Sequence, residues 1–248
     1  MAPALRSRRI ATRQHHLIGR FAALFGLGQK SGIVLENERS GLLPTPSWKM
    51  RRFGMPWQLG DTITISIGQG YLGVTPIQML NLISIFANGG KLYRPQLITS
   101  WETPQGKVID NSQAEILKHV PLSPQTIKMV RSALWGTVNK IQGTATKAKI
   151  KGFGVSGKTG TAQVVRMKEV AHLEEDKIPF KYRDHAWFVA FAPYNQPQIA
   201  VVVMIEHGGH GGSACAPLAR EMIKTYLETQ GITEPSSPNH PPPAESSV

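Results

Sequence analysis

Lys158, Thr159 and Gly160 fall in the stretch GVSGKTGTAQVV (154–165), where a small-residue turn runs into a β-prone segment. An ammonium beside a hydroxyl suits the holding of a carboxylate: the lysine supplies charge, the threonine a hydrogen bond. Gly160, with no side chain, leaves room for an extended peptide to lie against a strand and pair with its backbone. The N–H of Thr161 is then placed to stabilise an oxyanion. Carboxylate binding next to an oxyanion site is the equipment of acyl transfer, and acyl transfer needs a nucleophile. By itself K-T-G is a weak signal, because three residues recur by chance and a plain strand start explains them equally well.

The elements that must carry these residues can be read from pattern. Helical spacing at 17–27 ends in glycines. The segment GLLPTPSWKMRRFGMPWQLG (41–60) has the composition of a long surface loop ordered by aromatic packing. TPIQMLNLISIFANGG (75–90) is the clearest helix, capped by Thr75, opened by Pro76 and stopped by Gly89–Gly90; its apolar residues go nearly all round, which predicts burial. KLYRPQLITSW and KVIDN, joined by ETPQG, read as a hairpin. A second capped helix is predicted over 123–139 and a loop over 143–154. Three strands are expected at 161–166, 186–192 and 198–205. The last two are apolar on both faces and so are expected to lie centrally. An amphipathic helix closes the pattern at 213–230. Helix, three successive strands and helix predict an α+β fold, an antiparallel sheet with helices packed on it.

Bulk properties exclude some functions. The net charge is +12, and half of it comes from Arg6, Arg8, Arg9, Arg13, Arg20 and Lys30, which stand in the first thirty residues with no acid among them. The remaining basic residues are mixed with acids, without the basic and aromatic stripe that nucleic-acid binding uses, so no nucleic-acid partner is expected. No apolar run approaches the roughly 18–20 residues of a membrane span; the longest, IAVVVMI (199–205), has strand length. Cys215 is the only cysteine. It reads as a small buried residue at a helix start, not as a nucleophile. His207, His210 and Cys215 have passable metal spacing, but a glycine-rich loop needs no metal, and none is assigned. Asp184–His185 reads as a charged pair marking a strand's start, since neighbours in a strand point to opposite faces.

Several separated segments share one resemblance. GKTGTAQVV, RDHAWFVAFAPYNQPQIAVVVMIEHGG, GDTITISIGQGYLGVTPIQM, FGLGQKSGI and SGLLPTPSWK together resemble the penicillin-binding transpeptidase family, in particular its elongation-type class B branch, the penicillin-binding protein 2 type. The resemblance covers roughly residues 17–230. It implies a five-stranded antiparallel sheet flanked by helices, no cofactor, and a D,D-transpeptidase that cross-links peptidoglycan through an acyl-serine. Lys158 and Thr159 would then bind the terminal carboxylate of a stem peptide, Gly160 would give it room, and Thr161 would supply an oxyanion N–H. Stem peptides, β-lactams and the rod-shape polymerase of the elongation machinery are the partners it implies. The family is anchored in the inner membrane and works in the periplasm.

Two family motifs are missing from this sequence. No serine has a lysine three residues later, so Ser-x-x-Lys is absent. Ser-x-Asn appears only as Ser237–Pro238–Asn239, after K-T-G and in a proline-rich tail (231–248) expected to be disordered. Residues 1–16 match nothing in the family and are expected to be an unpatterned leader. The reading is therefore the C-terminal part of a transpeptidase domain (17–230), from a longer parent, inactive alone and, without anchor or signal, cytoplasmic if made as given. The alternative is a non-catalytic module that binds stem peptides or a cell-wall partner.

Overall fold

The computed structural model describes residues 17–111, 113–164, 177–233 and 240–241. The basic leader, most of the proline-rich tail and the Ser237–Asn239 copy lie outside them. The described residues belong to two units, one running to Leu82 and including Lys91–Val120, the other comprising Ile83–Gly90 and the chain from Pro121 onward.

In the first unit, helix α1 is described over 17–24. The segment expected to be a loop at 41–60 instead holds two short helices, α2 (Pro46–Phe53) and α3 (Leu59–Ser66). Their signals are local. Thr45 accepts a hydrogen bond from the Trp48 N–H, and Pro46 occupies the first turn, where its missing N–H costs nothing. Gly54 ends α2 in the left-handed region at φ 66°. At α3, Asp61 accepts from the Gln58 N–H at 2.7 Å and pairs with Lys49 Nζ at 2.6 Å. The expected aromatic packing is present: Tyr71 lies 5.2 Å from both Trp48 and Phe53, ring centre to ring centre.

Helix α4 (Pro76–Ala87) starts at Thr75, whose Oγ1 accepts from the Gln78 N–H while its own N–H donates to Gln78 Oε1. It is not buried all round: Gln78, Ile83 and Ile85 are buried and most other positions are half-exposed. Gln78 Nε2 donates to the carbonyls of Gln29 and Ser40, both at 2.7 Å, so a polar residue inside an apolar helix pins two loops. The hairpin is present but shorter, β2 (Ser100–Glu102) against β3 (Val108–Asn111). Residues 91–93 do not extend it. They form β1 (Lys91–Tyr93), which pairs antiparallel with β4 (Ile116–His119), a strand the periodicity did not indicate.

The second unit carries the main core. Helix α5 (Pro124–Asn139) is capped as expected by Ser123, which accepts from the Thr126 N–H at 3.0 Å. Strands β5 (Ser156–Ala162), β6 (His185–Ala192) and β7 (Ile199–Ile205) form an antiparallel sheet in the order β5–β6–β7. Among the described residues this sheet has three strands, not the five the resemblance implied. β6 is central as expected, while β7 stands at a margin because it pairs only with β6 among them. Helix α6 (Gly211–Thr229) lies on one face. There Ala186, Phe188, Ala190, Val201 and Val203 meet Cys215, Ala216, Ala219 and Ile223. Phe188, Ala216, Ala219 and Ile223 are wholly buried, which makes this contact the main apolar contribution to the unit.

Candidate active site

K-T-G does not stand at a strand's start. The strand begins five residues earlier than the pattern indicated, so Lys158, Thr159 and Gly160 are mid-strand, opposite Val189, Phe188 and Trp187 of β6. Directly opposed residues share a face. Thr159 and Thr161 therefore share the α6 face with Phe188 and Ala186, while Lys158 and Gly160 share the other with Val189 and Trp187.

β5 has β6 as its one strand neighbour among the described residues, and Lys158 is exposed. Its Nζ folds back to donate to the Thr159 carbonyl at 2.8 Å and to Thr159 Oγ1 at 3.3 Å. Two residues whose side chains leave the strand on opposite faces thus converge on one point. Thr159 Oγ1 also lies 3.2 Å from Thr144 Oγ1. The result is a string of one ammonium and two hydroxyls, a donor set suited to a carboxylate.

Gly160 also fits closely within its own sheet. A Cβ there would stand 3.2 Å from the Cβ of Trp187, a tight contact that the tryptophan would have to yield a few tenths of an ångström to accept. The sequence assigns the glycine to an incoming peptide; the structure adds a cross-strand tryptophan as a second reason. Behind the strand, the first turn of α6 approaches at backbone distance. A Cβ at Gly211 would stand 1.9 Å from the Trp187 carbonyl oxygen and 2.9 Å from that of Gly160. Gly211 thus lets α6 close against the K-T-G strand, which explains that glycine without a ligand. Beneath β5, Asn139 Nδ2 donates to the carbonyls of Trp135 and Val155, tying α5 to the residue just before the strand.

The other candidate residues lie elsewhere. Cys215 is wholly buried in α6, and burial pushes its thiol up, offset in part by a backbone hydrogen bond from Ile205. His185 opens β6, as the charged-pair reading has it, and its Nδ1 accepts from the His207 N–H at 2.9 Å. His207 Nδ1 lies 2.9 Å from the Arg183 carbonyl, and its ring packs 4.7 Å from His185 and 5.0 Å from Phe180. These contacts tie the β6–β7 end together. Among the described residues no group of three His, Cys, Asp or Glu side chains is placed to hold a metal ion. No helix among them is long and apolar enough to cross a membrane. Thr144 is the site residue that pattern did not show; its only trace was a Gly-Thr step in the loop before K-T-G.

Comparison with known proteins points to one family. The peptidoglycan D,D-transpeptidase MrdA of Haemophilus influenzae is 36% identical over 206 residues, which are 82% of this chain and 31% of that protein. The chain therefore spans about a third of the length of the curated relatives it matches. A crystal structure of Pseudomonas aeruginosa PBP2 in complex with WCK 5153 superposes with a TM-score of 0.70 at 30% identity, covering 91% of this chain and 47% of that one. The complex between PBP2 and MreC from Helicobacter pylori gives a TM-score of 0.70 at 28% identity, covering 93% of this chain and 39% of that one. A model of the penicillin binding protein transpeptidase domain matches residues 18–224, and with the α+β sheet and its K-T-G strand this places the chain in the penicillin-binding protein transpeptidase family, among relatives of the PBP2 type.

Proposed function

We propose that this chain supplies the K-T-G side of a D,D-transpeptidase active site. Lys158 and Thr159 bind the terminal carboxylate of a D-Ala-D-Ala stem peptide laid along β5, or the carboxylate of a β-lactam. Gly160 keeps the strand low enough for the peptide, and Thr161 is the position whose N–H the family motif assigns to the oxyanion. The observation that carries this reading is the Lys158–Thr159–Thr144 string on β5, which has β6 as its one strand neighbour among the described residues. The full reaction forms an acyl-serine ester, releases D-alanine, and passes the acyl group to an amine. This sequence holds no Ser-x-x-Lys to begin it. The chain is accordingly a carboxylate clamp that needs a nucleophile it does not supply in that form. The whole protein's partners belong with the elongation machinery, in keeping with the Helicobacter homologue solved with MreC; docking by a rod-shape polymerase is part of the same proposal.

The test is intact mass spectrometry of the folded chain after incubation with a fluorescent penicillin, with circular dichroism confirming the fold. The expected result is no adduct. A mass gain of one β-lactam mapped to a serine would show a nucleophile outside Ser-x-x-Lys and overturn the clamp-only reading. In the same samples, a D-Ala-D-Ala peptide should shift the NMR signals of Lys158 and Thr159. Shifts there without any adduct fit a binding module; no shift at β5 removes the carboxylate role.

A further inference from the structure

The loop between α5 and β5 carries a residue that the family motif does not name. Its path is held at backbone level. The Gly143 N–H donates to the Lys140 carbonyl at 3.0 Å and the Ala145 N–H to the Thr137 carbonyl at 3.1 Å. A Cβ at Gly143 would stand 2.2 Å from the Thr137 oxygen, and one at Gly212 would stand 2.3 Å from the Thr144 oxygen. The loop is thus clamped between the last turn of α5 and the first turn of α6, with Ala145 and Ala148 wholly buried beneath it. Thr144 itself is exposed. A surface side chain on so constrained a backbone is aimed, and its hydroxyl meets Thr159 Oγ1 at 3.2 Å, fifteen residues along the chain.

Proton bookkeeping gives that contact a direction. An ammonium only donates, so Thr159 Oγ1 accepts from Lys158. A carboxylate only accepts, so once one is bound Thr159 must direct its single proton to it. The Thr144–Thr159 bond then survives only with Thr144 as donor and Thr159 as acceptor of two bonds, which its two lone pairs permit. In the empty site either hydroxyl can donate.

We infer that Thr144 is a positioning residue for the clamp: by donating to Thr159 in the occupied site, its hydroxyl turns the Thr159 proton toward the substrate carboxylate. This rests on the proposed carboxylate-binding role of K-T-G. It predicts a specificity effect for carboxylate over its neutral amide, which a residue that merely stiffened the loop would not produce.

The experiment titrates the full chain with a diacetyl-Lys-D-Ala-D-Ala peptide and separately with its C-terminal amide, following threonine methyl signals by NMR. The wild type should favour the carboxylate peptide. Thr144→Val should weaken carboxylate binding by about three- to tenfold, the worth of one hydrogen bond, and leave amide binding unchanged. Thr144→Ser should restore it. Should the valine disturb the loop, Thr144→Ala, which adds no bulk, gives the same carboxylate-to-amide ratio, and that ratio decides. Equal loss for both peptides, or no loss in either variant, overturns the positioning role while leaving the clamp intact. A wild type with no preference for the carboxylate overturns both.

Discussion

The first turn of α6 gives a sharp quantitative test of how the K-T-G strand is held. In Gly211→Ala the new methyl would stand 1.9 Å from the Trp187 carbonyl oxygen, where real Cβ contacts do not fall below 3.0 Å. Helix and strand would have to part by at least about 1 Å, and because both sides of the contact are backbone, no rotamer change relieves it. Overpacking of this kind costs about 1–3 kcal/mol, with the rigid contact at the upper end, and exceeds the at most ~1 kcal/mol that alanine gains over glycine in a helix. A net loss near 2 kcal/mol corresponds to a fall in Tm of about 4–8 °C for a chain of this size. Gly136→Ala is the matched control. It lies inside α5, and its Cβ would meet only the Lys140 side chain at 3.5 Å, an ordinary contact. That variant should gain about 0.5–1 kcal/mol from reduced backbone entropy. Thermal and urea unfolding followed by circular dichroism separate the two. A neutral or stabilising Gly211→Ala would refute the close docking of α6 on β5–β6. A destabilising Gly136→Ala would refute the helical, unobstructed placement of that residue.

Two further expectations concern titrating groups. Cys215 should react with a thiol reagent at least about tenfold more slowly in the native chain than in the urea-unfolded one, since burial both hides the thiol and disfavours the thiolate; equal rates would place it at the surface. At Glu38, burial works to raise the pKa. Hydrogen bonds from the Ser31 hydroxyl and the Ser31 and Gly32 N–H groups outweigh it, with help from Lys30, and hold the carboxyl below its ordinary 4.5. A depressed folded-state pKa contributes stability that is fully present above 4.5 and is lost as pH falls through the folded value. Glu38→Gln should therefore lower Tm at pH 7 and converge with the wild type in acid; a difference independent of pH would mean the charge contributes nothing.

Features legible from sequence were those whose cause is local. Thr75 and Ser123 mark helix starts because a hydroxyl three residues before an exposed N–H is a contact within one turn. The apolar runs of β6 and β7 announce strands, of which β6 is buried along most of its length, and the residue types of K-T-G suggest the proposed carboxylate clamp. α2 was local too, with Thr45 and Pro46 as its start, but the proline, glycine and tryptophan content of 41–60 masked that signal. Other features depended on partners distant in sequence. β1 left the expected hairpin because its hydrogen-bonding partner, β4, lies 23 to 28 residues downstream. Gln78, a polar residue within an apolar helix, is accounted for only by the carbonyls of Gln29 and Ser40 that its amide meets.

The same division runs through the site. Residue order put an ammonium and a hydroxyl next to each other, and alternation along a strand would have sent them to opposite faces. In the folded chain the exposed Lys158 side chain turns back onto Thr159, on a strand whose one strand neighbour among the described residues is β6. Gly211 is a glycine because the backbone of β6 lies against it, Gly160 faces the Trp187 side chain on the neighbouring strand, and Thr144 meets Thr159 because two helix ends clamp the loop between them. Periodicity reports which way a side chain points along its own element. Which residue it finds there is settled by packing between elements, and that distance exists only once the chain has folded.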